Sequence, residues 1–345
     1  MERKERERER MKPRLISIRS FSPILAVIME LPLILLLLYA TSSFAKDESF
    51  IFRMPSILPQ RESYVCTSTP VNEATSIIGF NVLNEKHNAH HVILFGCEEP
   101  GSDQDVWDCG EMSSSTESGA PPCAAKPTIL YAWAHDAPKL QLPKDVAFKV
   151  GGNSKVKHLV MQVHYMEDGE EFDSSGLDIK YTDRPITKEA STMLLVTGGM
   201  IPPMSTESLE TACTIDENVV IHPFAYRTHT HKLGVDVSGW IVRQKDGVDD
   251  WSLLGRRDPQ LPQMFVPITN TSLVIRKGDV VSARCLMVNE GMNQVVVGSS
   301  GEDEMCNFYL MYWSNGKALT DNTCFSPGPP KYYWSSEAQL NHIPN

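Results

Sequence analysis

From Phe50 onward this chain is a succession of short β-rich runs, each closed by proline, glycine, asparagine or aspartate, with no helical periodicity of useful length. That pattern constrains the fold most, because regular short strands with turn residues between them bury their apolar faces as sheet packed on sheet. Residues 76–80, 91–95, 128–133, 147–150, 158–165 and 177–181 supply such runs in the first half. Residues 193–197, 219–224, 234–242, 271–275, 280–288, 294–298 and 307–313 supply them in the second. The expected fold is therefore all-β, as two consecutive antiparallel β-sandwiches, jelly-roll-like and stapled by disulfides. Arg184-Pro185 marks the boundary between domains at 46–184 and 185–330. The proline-rich run 326–330 is expected to end compact structure and to leave residues 331–345, with Tyr332-Tyr333-Trp334, as a tail.

The first 20 residues are charged with a basic excess, and an apolar stretch follows at residues 24–40, interrupted by Glu30 and Pro32. Small residues at Ser43 and Ala45 then fit a signal-peptidase site, so residues 1–45 read as a signal peptide cleaved after Ala45, with an uncleaved anchor as the alternative. Either reading places the remainder in the secretory pathway, in a granule lumen or outside the cell. No later segment has the apolar length to span a bilayer. Without residues 1–45 the formal net charge moves from −11 to −14, since 8 basic and 5 acidic residues leave. An acidic balance of that size argues against nucleic acid as a partner.

All eight cysteines, Cys66, Cys97, Cys109, Cys123, Cys213, Cys285, Cys306 and Cys324, lie in the later part. An even number in a secreted chain implies disulfides, and four before residue 125 with four after residue 210 suggest two bridges in each domain. Spacing alone does not choose the partners. No C-x-x-C pair is present, which argues against a thiolate zinc site. The long polar loop 101–122, which contains Cys109 and little else apolar, reads as a stapled surface loop. Asn270-Thr271-Ser272 is a glycosylation sequon.

The ten histidines are unevenly placed. In the run FAYRTHTHKLG, strand alternation would put Arg227, His229 and His231 on one face. Two imidazoles at i and i+2 suit a metal, and the guanidinium beside them suits a carboxylate. His222 precedes this group. His87, His90 and His91 cluster in EKHNAHHVILFGC, and His158 and His164 flank KHLVMQVHY. The adjacent pair His90-His91 can serve one metal only where the chain enters or distorts a strand, and His164 would complete a three-imidazole set. For the second group, residues 304–313 offer Met305, which alternation places on one face with Asn307 and Tyr309. A thioether with two imidazoles favours Cu(I), although a core methionine is the ordinary reading of any one of the fifteen. His135 and His342 stand alone.

The motifs HHVILFGC, ILYAWA, MQVHY, FAYRTHTHKLG, DPQLPQ and EMCNFYLMY, in this order across residues 50–325, resemble the copper type II, ascorbate-dependent monooxygenases, and within them the peptidylglycine α-hydroxylating branch. The resemblance implies two copper ions, ascorbate as reductant and O2 as co-substrate. It assigns His90, His91 and His164 to the electron-supplying copper, and His229, His231 and Met305 to the copper that meets substrate. It gives Arg227, Asn307 and Tyr309 to the peptide's terminal carboxylate and backbone, with Tyr309 also counted among the catalytic residues. It pairs Cys66–Cys109, Cys97–Cys123, Cys213–Cys324 and Cys285–Cys306. A further bridge found in animal members has no cysteines here. The implied reaction hydroxylates the Cα of a C-terminal glycine in glycine-extended peptides, and a separate lyase would complete the amide. A catecholamine β-hydroxylase of the same family and a non-catalytic copper-binding sandwich are the alternatives. Arg227 speaks against the first and the complete set of six ligands against the second.

Overall fold

The strand Asn307–Asn315 shows how one sequence builds both a core and a site. Its residues alternate, so Phe308, Leu310 and Tyr312 enter one hydrophobic cluster while Tyr309 and Met311 enter another. The computed structural model, which describes residues 47–84, 89–110, 119–134, 137–298 and 303–345, is all-β. The expected signal segment 1–45, His87, His135 and part of the 101–122 loop lie outside those residues.

A ten-stranded sheet runs through both halves of the chain. Eight of its strands run from one edge in the order Asp47–Arg53, Gly176–Thr182, Thr75–Leu83, Val146–Val150, Lys188–Thr197, Asn307–Asn315, Ile221–His229 and Val266–Pro267, while Leu140–Gln141 pairs with Thr75–Leu83 and Thr323–Ser326 with Lys188–Thr197. The halves join where Lys188 and Glu189 pair in parallel with Val146 and Ala147. A five-stranded sheet, in which His158–Tyr165 lies between Ser63–Pro70 and His91–Cys97, contributes with the first half of the large sheet to one core around Phe80, Phe95, Tyr131 and Phe148. A four-stranded sheet of Ser205–Thr214, Val280–Asn289, Gly234–Lys245 and Val248–Arg257 contributes to the second core, with Ile241, Val281 and Phe308. Ala190, Ala225, Phe265, Tyr309 and Met311 belong to the first core although they come from the second half, so that face of the sheet turns toward the N-terminal sandwich.

Disulfides join Cys66–Cys109, Cys97–Cys123, Cys213–Cys324 and Cys285–Cys306, two in each half. The widest spans 111 residues. On chain-entropy grounds a loop of that length contributes about 4–5 kcal/mol by restricting the unfolded state.

Three expectations are corrected. Residues 271–275 form no strand; Ile275 makes only an isolated bridge to Ile221, because the turn at 276–279 redirects the chain. The segment 294–298 shrinks to the two-residue strand Val295–Val296. Most plainly, residues 331–345 are not a tail beyond compact structure. Trp334 is completely buried and packs with Val242 and Leu340 in a third apolar cluster against the four-stranded sheet. Its indole N–H donates to the Thr211 carbonyl at 2.9 Å, and its backbone N–H to Glu210 at 2.6 Å. Arg284 stacks 4.5 Å from its ring and pairs with the same Glu210. The prolines stop a strand, but the aromatic residues after them still had apolar area to bury.

Candidate metal centres and substrate face

The first histidine cluster forms where two neighbouring strands begin and end. His90 lies just before the strand His91–Cys97, and its N–H donates to the His164 carbonyl at 2.9 Å. His91 pairs directly with His164 across the ladder. Adjacent residues 90 and 91 thus reach one point because regular alternation starts only at His91. One nitrogen from each of His90, His91 and His164 lies within 4.8 Å of the others. Tyr64, which the sequence did not single out, stacks on His164 with centroids 4.2 Å apart and ring planes 5° from parallel. The register Tyr64↔His164 on the next strand explains that contact, and no local motif announces it. His158 stays apart, with Nδ1 3.1 Å from the Glu98 carbonyl oxygen.

The second cluster stands on the face of the large sheet turned toward the first half. Arg227 is opposite Tyr309 and His229 opposite Asn307 in antiparallel register. Strand alternation therefore puts all four on one face, as expected. The Asn307 amide is 3.3 Å from the Tyr309 hydroxyl and 3.8 Å from the Met305 sulfur. His231 and Met305 depart from the expected strand positions. The strand ends at His229, and the next begins at Asn307, so both residues lie on the adjoining turns. His231 still faces His229, with ring centroids 5.4 Å apart and planes at 83°.

Three residues outside the expected set hold this turn. The buried Glu304 carboxylate accepts the backbone N–H groups of His231 and Leu233, both at 3.2 Å. Burial raises its pKa, and the N–H groups and His231 oppose that shift. The Asp303 carbonyl lies 2.7 Å from His231 Nδ1. Gln263 contacts His229 Nδ1 through its side-chain oxygen, and its own carbonyl accepts Arg227 Nε at 2.7 Å. Gly234 lets the chain return, since a Cβ there would come within 2.1 Å of Thr230 Oγ1. Gln263 ends the DPQLPQ motif, which was the only sequence signal for it.

A metal fits both sets. Nδ1 of His229 is engaged by Gln263 and Nδ1 of His231 by Asp303, the arrangement that orients imidazole ligands in metal sites. Among the described residues, His91 Nε2, His229 Nε2, Arg227 Nη1 and Asn307 Oδ1 are buried without a hydrogen-bond partner. Burial holds His229 well below the usual imidazole range; Arg227 pushes the same way and Gln263 opposes it. Burial likewise depresses His91, aided by His164, Arg227, His90 and His229. Neutral imidazoles present lone pairs to a metal without proton competition. The positive charge of Arg227 is among the causes that hold His91 low. The donor sets, three imidazoles and two imidazoles with a thioether, suit copper.

These features define a class: disulfide-bonded paired β-sandwiches with one histidine cluster in each half. Residues 50–171 match the N-terminal domain, and residues 188–337 the C-terminal domain, of the copper type II ascorbate-dependent monooxygenases. The chain belongs to that family. It is 36% identical over 301 residues to peptidyl-glycine alpha-amidating monooxygenase A of Xenopus laevis, covering 84% of this chain and 30% of the relative. It is 35% identical over 308 residues to peptidylglycine alpha-amidating monooxygenase of Rattus norvegicus, covering 86% of this chain and 30% of that one. The chain thus spans about a third of the length of these relatives.

Proposed function

We propose that this chain hydroxylates the Cα of a C-terminal glycine in peptides, using O2, ascorbate and two copper ions. His90, His91 and His164 would hold one ion, and His229, His231 and Met305 the other. Copper, when bound, supplies one-electron redox chemistry and O2 activation. The observation that carries the substrate reading is Arg227, whose buried Nη1 has no hydrogen-bond partner beside Tyr309 and Asn307. Tyr309 and the Gln263 carbonyl engage this buried guanidinium, but among the described residues no carboxylate pairs with it, and a peptide's terminal carboxylate would supply a charge-assisted hydrogen bond at Nη1. Tyr309 and Asn307, on the same face, would then align the last residue so that its Cα lies beside His229 and His231. Orientation of that kind, rather than proton transfer, is what these side chains contribute.

Residues 46–184 and 185–345 are read as the two domains, the second now including the segment that buries Trp334. A signal segment at 1–45, passage through the secretory pathway, sugar on the exposed Asn270 and a separate lyase acting on the product complete the reading. The printed names of the relatives support the amidation role, and no helix among the described residues is long and apolar enough to cross a membrane.

The test is direct. Purified protein with copper, ascorbate and a glycine-extended peptide should consume oxygen and add one oxygen atom to the peptide mass. Turnover of a phenethylamine with no change in any glycine-extended peptide would overturn the substrate reading.

A further inference from the structure

The sheet face that carries Arg227, His229, Asn307 and Tyr309 continues away from the histidines and there walls a cavity of about 980 Å³. Phe95, Leu130 and Phe148 line it from the first half, and Ala190, Thr192 and Leu194 from the second. Tyr309 also lines it, so the cavity and the Arg227 cluster share one ring. A volume near the upper end of the usual range suits a small molecule.

The lining chemistry selects the ligand class. Five cations, Lys126, Lys149, Lys155, Arg184 and Lys317, line the cavity against two carboxylates, Asp183 and Glu189. Lys126, Lys149 and Arg184 are paired with Asp321, Glu189 and Asp47. Lys155 and Lys317 form no close ion pair among the described residues, although Lys317 lies near enough to Glu217 to help hold its carboxyl low. A basic cluster in a chain of net charge −11 draws an anion to this point rather than elsewhere. Nine serines and threonines also line the cavity, of which Ser154, Thr182 and Thr320 are engaged within the protein, and a hydroxyl-rich wall of this kind suits a ligand bearing several hydroxyl groups. Thr192 is 6% exposed, and its Oγ1 has no hydrogen-bond partner. A buried hydroxyl in that state calls for a partner, and a ligand hydroxyl would supply one.

We propose that this cavity docks a small polyhydroxylated anion, which in an ascorbate-dependent family is ascorbate itself. Its negative charge meets Lys155 and Lys317, and one of its hydroxyl groups meets Thr192. The assignment rests on membership of the family and not on the peptide reading.

The test uses the fully reduced, Cu(I)-loaded protein without oxygen, so that ascorbate binds without reacting. Saturation-transfer NMR and calorimetry measure its affinity. The double variant Lys155→Glu with Lys317→Glu should weaken ascorbate binding about tenfold or more, since like charges would then face the ligand. Thr192→Val should weaken it about threefold. Sorbitol should not compete, and sulfate at matched ionic strength should compete poorly. Absence of saturable binding, wild-type affinity in these variants, or displacement by sulfate as effective as by ascorbate would each overturn the proposal. In a single turnover of protein reduced beforehand with dithionite, the variants should hydroxylate a glycine-extended peptide as the parent does. If ascorbate binds as described while no such peptide is hydroxylated, the substrate reading fails and the docking site stands.

Discussion

The guanidinium of Arg227 lies 5.1 Å from the centre of the Tyr309 ring, on the strand position directly opposite it. Gln263 fixes Nε from one side, so the Nη1 end has one orientation available. Arg227→Ala should therefore cost about 2–4 kcal/mol of peptide affinity, read as a raised KM, while copper content stays at two per chain. Arg227→Lys should rescue little, because an ammonium lacks the fork that carboxylates fit. Equal loss of copper and of peptide affinity would instead assign Arg227 a structural role.

Met305→Ile keeps an apolar side chain of similar bulk and removes the sulfur. Hydroxylation should fall below detection while the copper at His90, His91 and His164 remains, measured by metal content and copper spectroscopy. Full activity in this variant would remove Met305 from the ligand set.

Metal-free protein should lose stability as pH falls. His91 and His229 are held neutral by burial, so their folded-state pKa values lie below the unfolded value of about 6.5. Below that pH the unfolded chain binds more protons than the folded one, and each such imidazole removes up to about 1.4 kcal/mol of stability per pH unit. Urea unfolding from pH 7.5 to 5 should show midpoints dropping below pH 6.5. A flat profile over that interval would contradict the assignment.

Trp334→Ala should destabilise the protein by about 3–5 kcal/mol, the usual cost of truncating a buried tryptophan. Phe325→Ala, at a side chain 61% exposed, should change stability by less than about 0.5 kcal/mol. Thermal unfolding of the two variants checks the contrast. Similar small effects would mean that residues 331–345 add little to the second sandwich.

Much of the site was legible because it obeys period two. Arg227 and His229, and Asn307 and Tyr309, share a face by alternation alone, and the register then sets the two pairs opposite each other. His231 and Met305 belonged to the expected set for a reason that fails in detail. Both sit on turns past the strand ends, and Glu304 with Asp303 turns His231 inward where alternation was expected to do so. Gln263 and Tyr64 were hidden because their partners lie 34 and about 100 residues away, and a glutamine or tyrosine carries no local mark of such a contact.

The sequence by itself determined the all-β class, the paired halves, the even cysteine count and the residue types able to bind copper and a carboxylate. Those properties rest on composition and on spacing over a few residues, where alternation and turn chemistry act. Only the tertiary structure decided that one sheet runs through both halves, that His90, His91 and His164 meet at one point, that Gln263 ties His229 to Arg227, and that Trp334 closes a third apolar cluster. Each of these depends on which faces are brought together across some tens of residues or more than a hundred. Burial and hydrogen bonding between distant strands settle that, and local periodicity does not encode it.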